Sequence, residues 1–115
     1  MSTAKFNQWL NSDGTENYKC RAWVNFNGTG TVAIRASGNV SSITDNGTGN
    51  YYINFTNPMP DVNYSVGLTA RWTGGILAPN TNQSSVNTVS SVAVLTYTAA
   101  GSIVDSEYVT AQIFR

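Results

Sequence analysis

From Cys20 onward, apolar residues return at every second position in short runs, and each run is closed by Gly, Asn or Pro. A side-chain period of two belongs to a strand that buries one face, so the pattern points to an all-β chain. CRAWVNF sets Cys20, Ala22, Val24 and Phe26 against Arg21, Trp23 and Asn25, which reads Cys20 as a small buried hydrophobe. Asn27-Gly28 is a hairpin-type turn, because both residues tolerate positive φ. TVAIRAS then puts Val32, Ile34 and Ala36 on one face, and Gly38-Asn39 turns into VSSIT. After the turn-forming residues 45–49, NYYINFT alternates through Tyr51, Ile53 and Phe55. Asn57-Pro58-Met59-Pro60-Asp61 breaks pairing, since a proline lacks the N–H that a ladder needs. NYSVGLTARW, with Tyr64, Val66, Leu68 and Ala70 in step, is the longest clean strand. Residues 73–85 form the one long loop, VNTVS and SVAVLTY a pair or one bent strand, and EYVTAQIFR the last strand. These runs predict a small antiparallel β-sandwich of roughly 7–8 short strands. Ahead of them, Phe6, Trp9 and Leu10 at i, i+3, i+4 predict a short N-terminal helical turn, broken by residues 11–14. Residues 1–16 accordingly read as an N-terminal anchoring or linker segment and 17–115 as a single β-sandwich domain.

At 115 residues the chain has the length of one domain. Six Lys/Arg balance six Asp/Glu, so no net field favours nucleic acid or an anionic membrane. Charged residues make up 10% of the chain, against ~25% in an average soluble domain. The polar surface therefore falls to 14 Asn, 26 Ser/Thr and 10 Gly. Cys20, the sole cysteine, excludes an internal disulfide. MSTAKFNQWL lacks the apolar core of a signal peptide, and no apolar run reaches membrane-spanning length, so synthesis in a cytoplasm is expected. The Asn-x-Ser/Thr triplets at Asn27, Asn39, Asn46, Asn54, Asn63 and Asn82 then reflect composition, not glycosylation.

Catalytic patterns are missing from the sequence. It holds no histidine, which removes Ser-His-Asp, Cys-His and His-based metal chemistry together. No glycine-rich phosphate motif occurs. The carboxylates Asp13, Glu16, Asp45, Asp61, Asp105 and Glu107 could supply a glycosidase pair, but most stand in turn contexts, where a carboxylate caps backbone N–H groups. TDNGTGN lacks the alternating oxygens and terminal Glu of a calcium loop. The expectation is a non-enzymatic protein with no cofactor and no metal.

Two stretches carry a likeness. NYKCRAWVNFNGTGTVAIRASGNVSSITDNGTGNYYINFTNPMPDVNYSV, residues 17–66, resembles a segment of phage and prophage tail-fibre-like proteins, and VTAQIFR, residues 109–115, resembles the ending of the same group. The resemblance covers about half the chain and implies a C-terminal, homotrimeric domain on the outside of a virion, assembled in the host cytoplasm alongside other tail proteins. Such segments end longer chains, whereas Met1 stands 16 residues before this one, so a short stand-alone gene and a fragment are both open. INFTNPMPDVNYSVGLTA, residues 53–70, is similar in pattern to trimeric H-type lectins. Neither likeness fixes what is bound, and the expected function is a fibre tip that contacts a host-surface receptor, a glycan being the expected class. Carbohydrate sites combine an aromatic face with amide and hydroxyl groups, and Arg71, Trp72, Asn80, Asn82 and Gln83 cluster around the long loop with Thr73, Thr81 and Ser84. The alternative is a purely structural trimeric tail or capsid protein (an adaptor, cap or decoration protein) whose aromatics, Trp23 among them, serve subunit interfaces.

Overall fold

The computed structural model describes residues 3–16, 18–75, 77–81 and 87–115. Eight strands follow in chain order: β1 (Cys20–Asn27), β2 (Ala33–Gly38), β3 (Val40–Asp45), β4 (Asn50–Phe55), β5 (Ser65–Arg71), β6 (Leu77–Thr81), β7 (Ser91–Thr98) and β8 (Tyr108–Phe114). They form two four-stranded antiparallel sheets, β2-β1-β8-β5 and β3-β4-β7-β6, the small β-sandwich that the alternation predicts.

The core is built from every second residue of the central strands. Ala22, Val24 and Phe26 of β1 and Val109, Ala111 and Ile113 of β8 face Tyr51, Ile53 and Phe55 of β4 and Val92 and Val94 of β7. Phe26 meets Tyr51 edge-on at 5.2 Å, and Phe55 meets Tyr64 likewise at 5.8 Å, the geometry that aromatic quadrupoles favour. The chain crosses between sheets at Asn39, which has φ 56°. Asn tolerates that conformation, and its side chain fastens the corner: Nδ2 donates to the Arg21 and Asn57 carbonyls, and Oδ1 accepts from Asn57 N–H.

Four expectations need correction. Among the described residues there is no helix; residues 3–9 are irregular, and Leu10 bridges Glu16 across the residue 11–15 turn. The predicted loop over 73–85 is interrupted by β6, an edge strand of its sheet, which is where a strand can hold Pro79. In VNTVS, residues 87–90 form no strand and β7 begins at Ser91, while position 86 lies outside the described residues. Cys20 is exposed, because the β1–β8 register shifts between Cys20 and Ala22 and takes it out of the inward series.

A bulge displaces a further residue. Asn25 pairs with Ala36 and Phe26 with Ile34, so Arg35 is an extra residue in β2. Ile34 stays against the core, while Ala36, expected beside it, is exposed. Bulges bend a strand locally and re-aim a side chain. Here the bulge leaves Arg35 unpaired and turns Ala36 outward.

Candidate functional site

The outward face of the β2-β1-β8-β5 sheet carries Trp23 and Asn25 from β1, Arg35 from β2, Tyr108, Thr110 and Gln112 from β8, and Thr69 and Arg71 from β5. Tyr108 pairs with Arg71 across the β5–β8 ladder. The Arg71 guanidinium lies 4.9 Å from the centre of its ring, and Arg35, reaching from the other side of β8 in the strand order, lies 4.8 Å from it. Both distances are within cation–π range. Arg35 is fixed further by donating Nη2 to the Glu107 carbonyl (2.6 Å) and Nη1 to Asn25 Oδ1 (3.3 Å), while Asn25 Nδ2 donates to the Tyr108 hydroxyl at 2.9 Å. Both arginines are exposed, and Asn25 and Tyr108 are half-buried. Among the described residues, neither arginine forms an ion pair. That includes the adjacent Glu107, one of whose oxygens is buried without a hydrogen-bond partner.

A buried polar group lies under one end of this cluster. Ser106, fully buried, has its hydroxyl 2.6 Å from the Arg71 carbonyl and 2.9 Å from that of Tyr108, and it accepts from Tyr108 N–H. A hydroxyl has one proton, so it donates to one carbonyl at a time and holds both strand ends by turns. The Ser106 carbonyl accepts from Gly28 N–H, and its N–H approaches the Tyr51 hydroxyl. That hydroxyl sits 2.9 Å from the Gly28 carbonyl and 3.1 Å from Asp105 Oδ1. Burial pushes the Tyr51 phenol well above its ordinary value of 10.0, so it stays protonated and able to donate.

The four aspartates cap backbone N–H groups. Asp13 accepts from Thr15, whose hydroxyl and N–H hold the carboxyl below its ordinary value; Asp45 accepts from Gly47 N–H, and Asp105 from Gly49 N–H. Asp61 accepts from Asn63 N–H and from both Nε and Nη2 of Arg115. Among the described residues, no three His, Cys, Asp or Glu side chains converge as metal ligands.

The residues singled out from the sequence do not form one site. Arg71 is in the cluster. Trp72 is half-buried and lies flat on its own turn, where a Cβ at Gly74 would overlap its ring. Asn80 pairs with Leu95 and points outward from the opposite sheet, so the sandwich separates it from Arg71. Thr73 is exposed in the Trp72–Gly75 turn and Thr81 is half-buried at the end of β6; Asn82, Gln83 and Ser84 lie outside the described residues. Asn25, Arg35 and Tyr108 were not predicted. Only strand order brings them together, although all three stand at outward or displaced positions of an alternating run.

No family model, curated protein or solved structure matches this chain.

Proposed function

We propose that this chain is a non-enzymatic virion protein of a bacteriophage: the tip domain of a tail fibre or similar appendage, which contacts a glycan receptor on the host surface through the Arg35–Tyr108–Arg71 face. The observation that carries the reading is a ring, two guanidiniums and an amide gathered on an exposed sheet, with Asn25, Arg71 and Tyr108 set by strand pairing and Arg35, Asn25 and Tyr108 linked by hydrogen bonds. Sites on strands hold geometry better than sites on loops. The tail-fibre-like residues 17–66 and 109–115 supply β1 to β4 and nearly all of β8, and with them two of the four cluster residues, Asn25 and Arg35. The functional unit is a homotrimer joined to other tail proteins.

A second reading, a structural adaptor, cap or decoration protein, draws on the N-terminal segment. Phe6, Trp9 and Leu10 are 65%, 52% and 57% exposed, an apolar surface of the kind that marks a protein contact. Competition between the isolated chain and whole phage for host cells separates the two. On the receptor reading, Tyr108→Ala abolishes competition while the melting temperature and light-scattering mass remain near wild type, and Trp72→Ala leaves competition intact. Wild-type protein that never competes refutes the receptor reading. Loss of competition in Trp72→Ala alone would move the site to the β5–β6 turn. A monomeric mass refutes the trimer.

A further inference from the structure

From charge placement and the donor inventory of the cluster, we infer that its ligand is an acidic saccharide, bound through a carboxylate on the sugar ring; the inference rests on the receptor-binding reading above. The neutral total conceals a division between the sheets. Strands of the β2-β1-β8-β5 sheet hold Arg21, Arg35 and Arg71 and no Asp or Glu, whereas strands of the other hold Asp45 and no Lys or Arg.

Within the first sheet, two guanidiniums stand within 5 Å of the centre of one ring, with no anion paired to either among the described residues. Arg35 is also anchored to the Glu107 carbonyl and to Asn25, so Arg71 is the cation held by its strand and the ring alone. An anion that reaches both guanidiniums brings a counter-charge that the described residues do not supply.

The hydrogen-bonding groups left over are also of one kind. Arg71 donates to nothing among the described residues and presents a planar fork of N–H groups. Arg35 uses Nη1 and Nη2 on Asn25 and Glu107, and the Tyr108 oxygen accepts from Asn25, which leaves its own proton free to donate. Asn25 Oδ1 is occupied by Arg35. The four cluster residues thus offer mainly donors, with the Thr69 and Thr110 hydroxyls the next acceptors along the strands. A neutral sugar hydroxyl brings a proton that needs an acceptor, whereas an ionised carboxylate only accepts and matches the planar fork in two parallel bonds.

The test is calorimetric titration of the full chain with an oligogalacturonate, the same oligosaccharide with its carboxyls reduced to alcohols, and a glycerol-phosphate oligomer of equal length. Binding to the uronate is expected, with affinity at least about tenfold lower for the reduced form and for Arg71→Gln or Arg35→Gln. Arg71→Lys should lose much of the affinity too, because it keeps the charge but not the fork. Arg21→Gln removes the same charge from the same sheet outside the cluster and should leave affinity within about twofold. Melting curves of each variant verify that it is folded. Equal affinity for uronate and reduced sugar, equal losses in Arg21→Gln and Arg71→Gln, or binding to the phosphodiester alone would each overturn the carboxylate assignment. If the wild-type chain binds host cells but not the uronate, the carboxylate inference fails and the receptor reading survives. If it binds neither cells nor any of these glycans, both fail.

Discussion

Replacing Tyr51 by Phe removes one oxygen from a fully buried side chain. The Tyr51 residue is 0% exposed, and its hydroxyl sits among the Gly28 carbonyl at 2.9 Å, Asp105 Oδ1 at 3.1 Å and Ser106 N–H at 3.4 Å. Asp105 Oδ1 keeps a second donor in Gly49 N–H, so its loss is partial. Gly28 has no such reserve and is itself buried. The Gly28 backbone lies so close that a Cβ there would overlap the phenol, and the space vacated by a single oxygen is too small for a water. The cost is therefore a net hydrogen bond plus a buried acceptor left unsatisfied, about 2–3 kcal/mol. For a domain of this size that lowers the melting temperature by ~8–12 °C. Tyr18→Phe, the same chemical change on a ring that is 73% exposed, should stay within ~0.5 kcal/mol of wild type. Differential scanning calorimetry of both variants decides the matter. A Tyr51→Phe protein that melts within ~2 °C of wild type would refute the claim that this hydroxyl holds the sandwich end together.

Two pH limbs follow from the ionisable groups. Burial pushes the Tyr64 phenol up to about 12 from 10.0, so the folded state keeps a proton that the unfolded chain releases near pH 10; its share of stability is whole below pH 10 and is lost as pH rises through about 12. Urea midpoints that decline over this range less steeply in Tyr64→Phe than in wild type would verify the sign, and identical slopes would refute it. On the acid side, hydrogen bonds from the Arg115 guanidinium and Asn63 N–H hold Asp61 at about 2 instead of 3.8, so its contribution is present above pH 3.8 and disappears as pH falls to about 2. Both side chains are well exposed, so Asp61→Asn should flatten the acid limb only slightly, and less in high salt; an unchanged limb at low salt refutes the link.

The sandwich was legible because its alternation is regular where burial is strongest. β1, β4 and β8 bury Ala22, Val24 and Phe26, then Tyr51, Ile53 and Phe55, then Val109, Ala111 and Ile113, each series with period two. β6 was missed because Pro79 and Asn80 are turn formers by composition, and only an edge position without a ladder N–H tolerates the proline. Ala36 and Cys20 were misplaced for a shared reason. One irregular residue shifts register, which reverses the facing of what lies beyond it, and no local pattern announces it. The site was legible only in Arg71. Positions 25, 35, 71 and 108 are distant in sequence, and the order β2-β1-β8-β5 assembles them. The balanced charge also pointed away from a cationic surface, because a total says nothing about how two sheets share it.

The core and the surface cluster are joined through one short segment, residues 104–108. The Val104 carbonyl accepts from the Thr96 hydroxyl, Asp105 from Gly49 and Tyr51, the Ser106 carbonyl from Gly28, and the Glu107 carbonyl from Arg35. Ser106 in turn holds the backbone of Arg71 and Tyr108. The segment thus ties β7 of one sheet to β1, β2, β5 and β8 of the other, and the ring of Tyr108 stands at its end. A side chain mounted there moves only if these bonds break, and most of them are at least partly buried, where an unmade bond costs ~1–3 kcal/mol. Arg35 and Arg71 are both exposed, yet one is tethered to the carbonyl of this segment and both rest on the ring. Long side chains ordinarily lose rotamer freedom worth ~0.5–1.5 kcal/mol each when a ligand fixes them. Here part of that ordering is already complete in the free protein, which is the physical reason for proposing this sheet face, and not the β5–β6 turn, as the recognition surface.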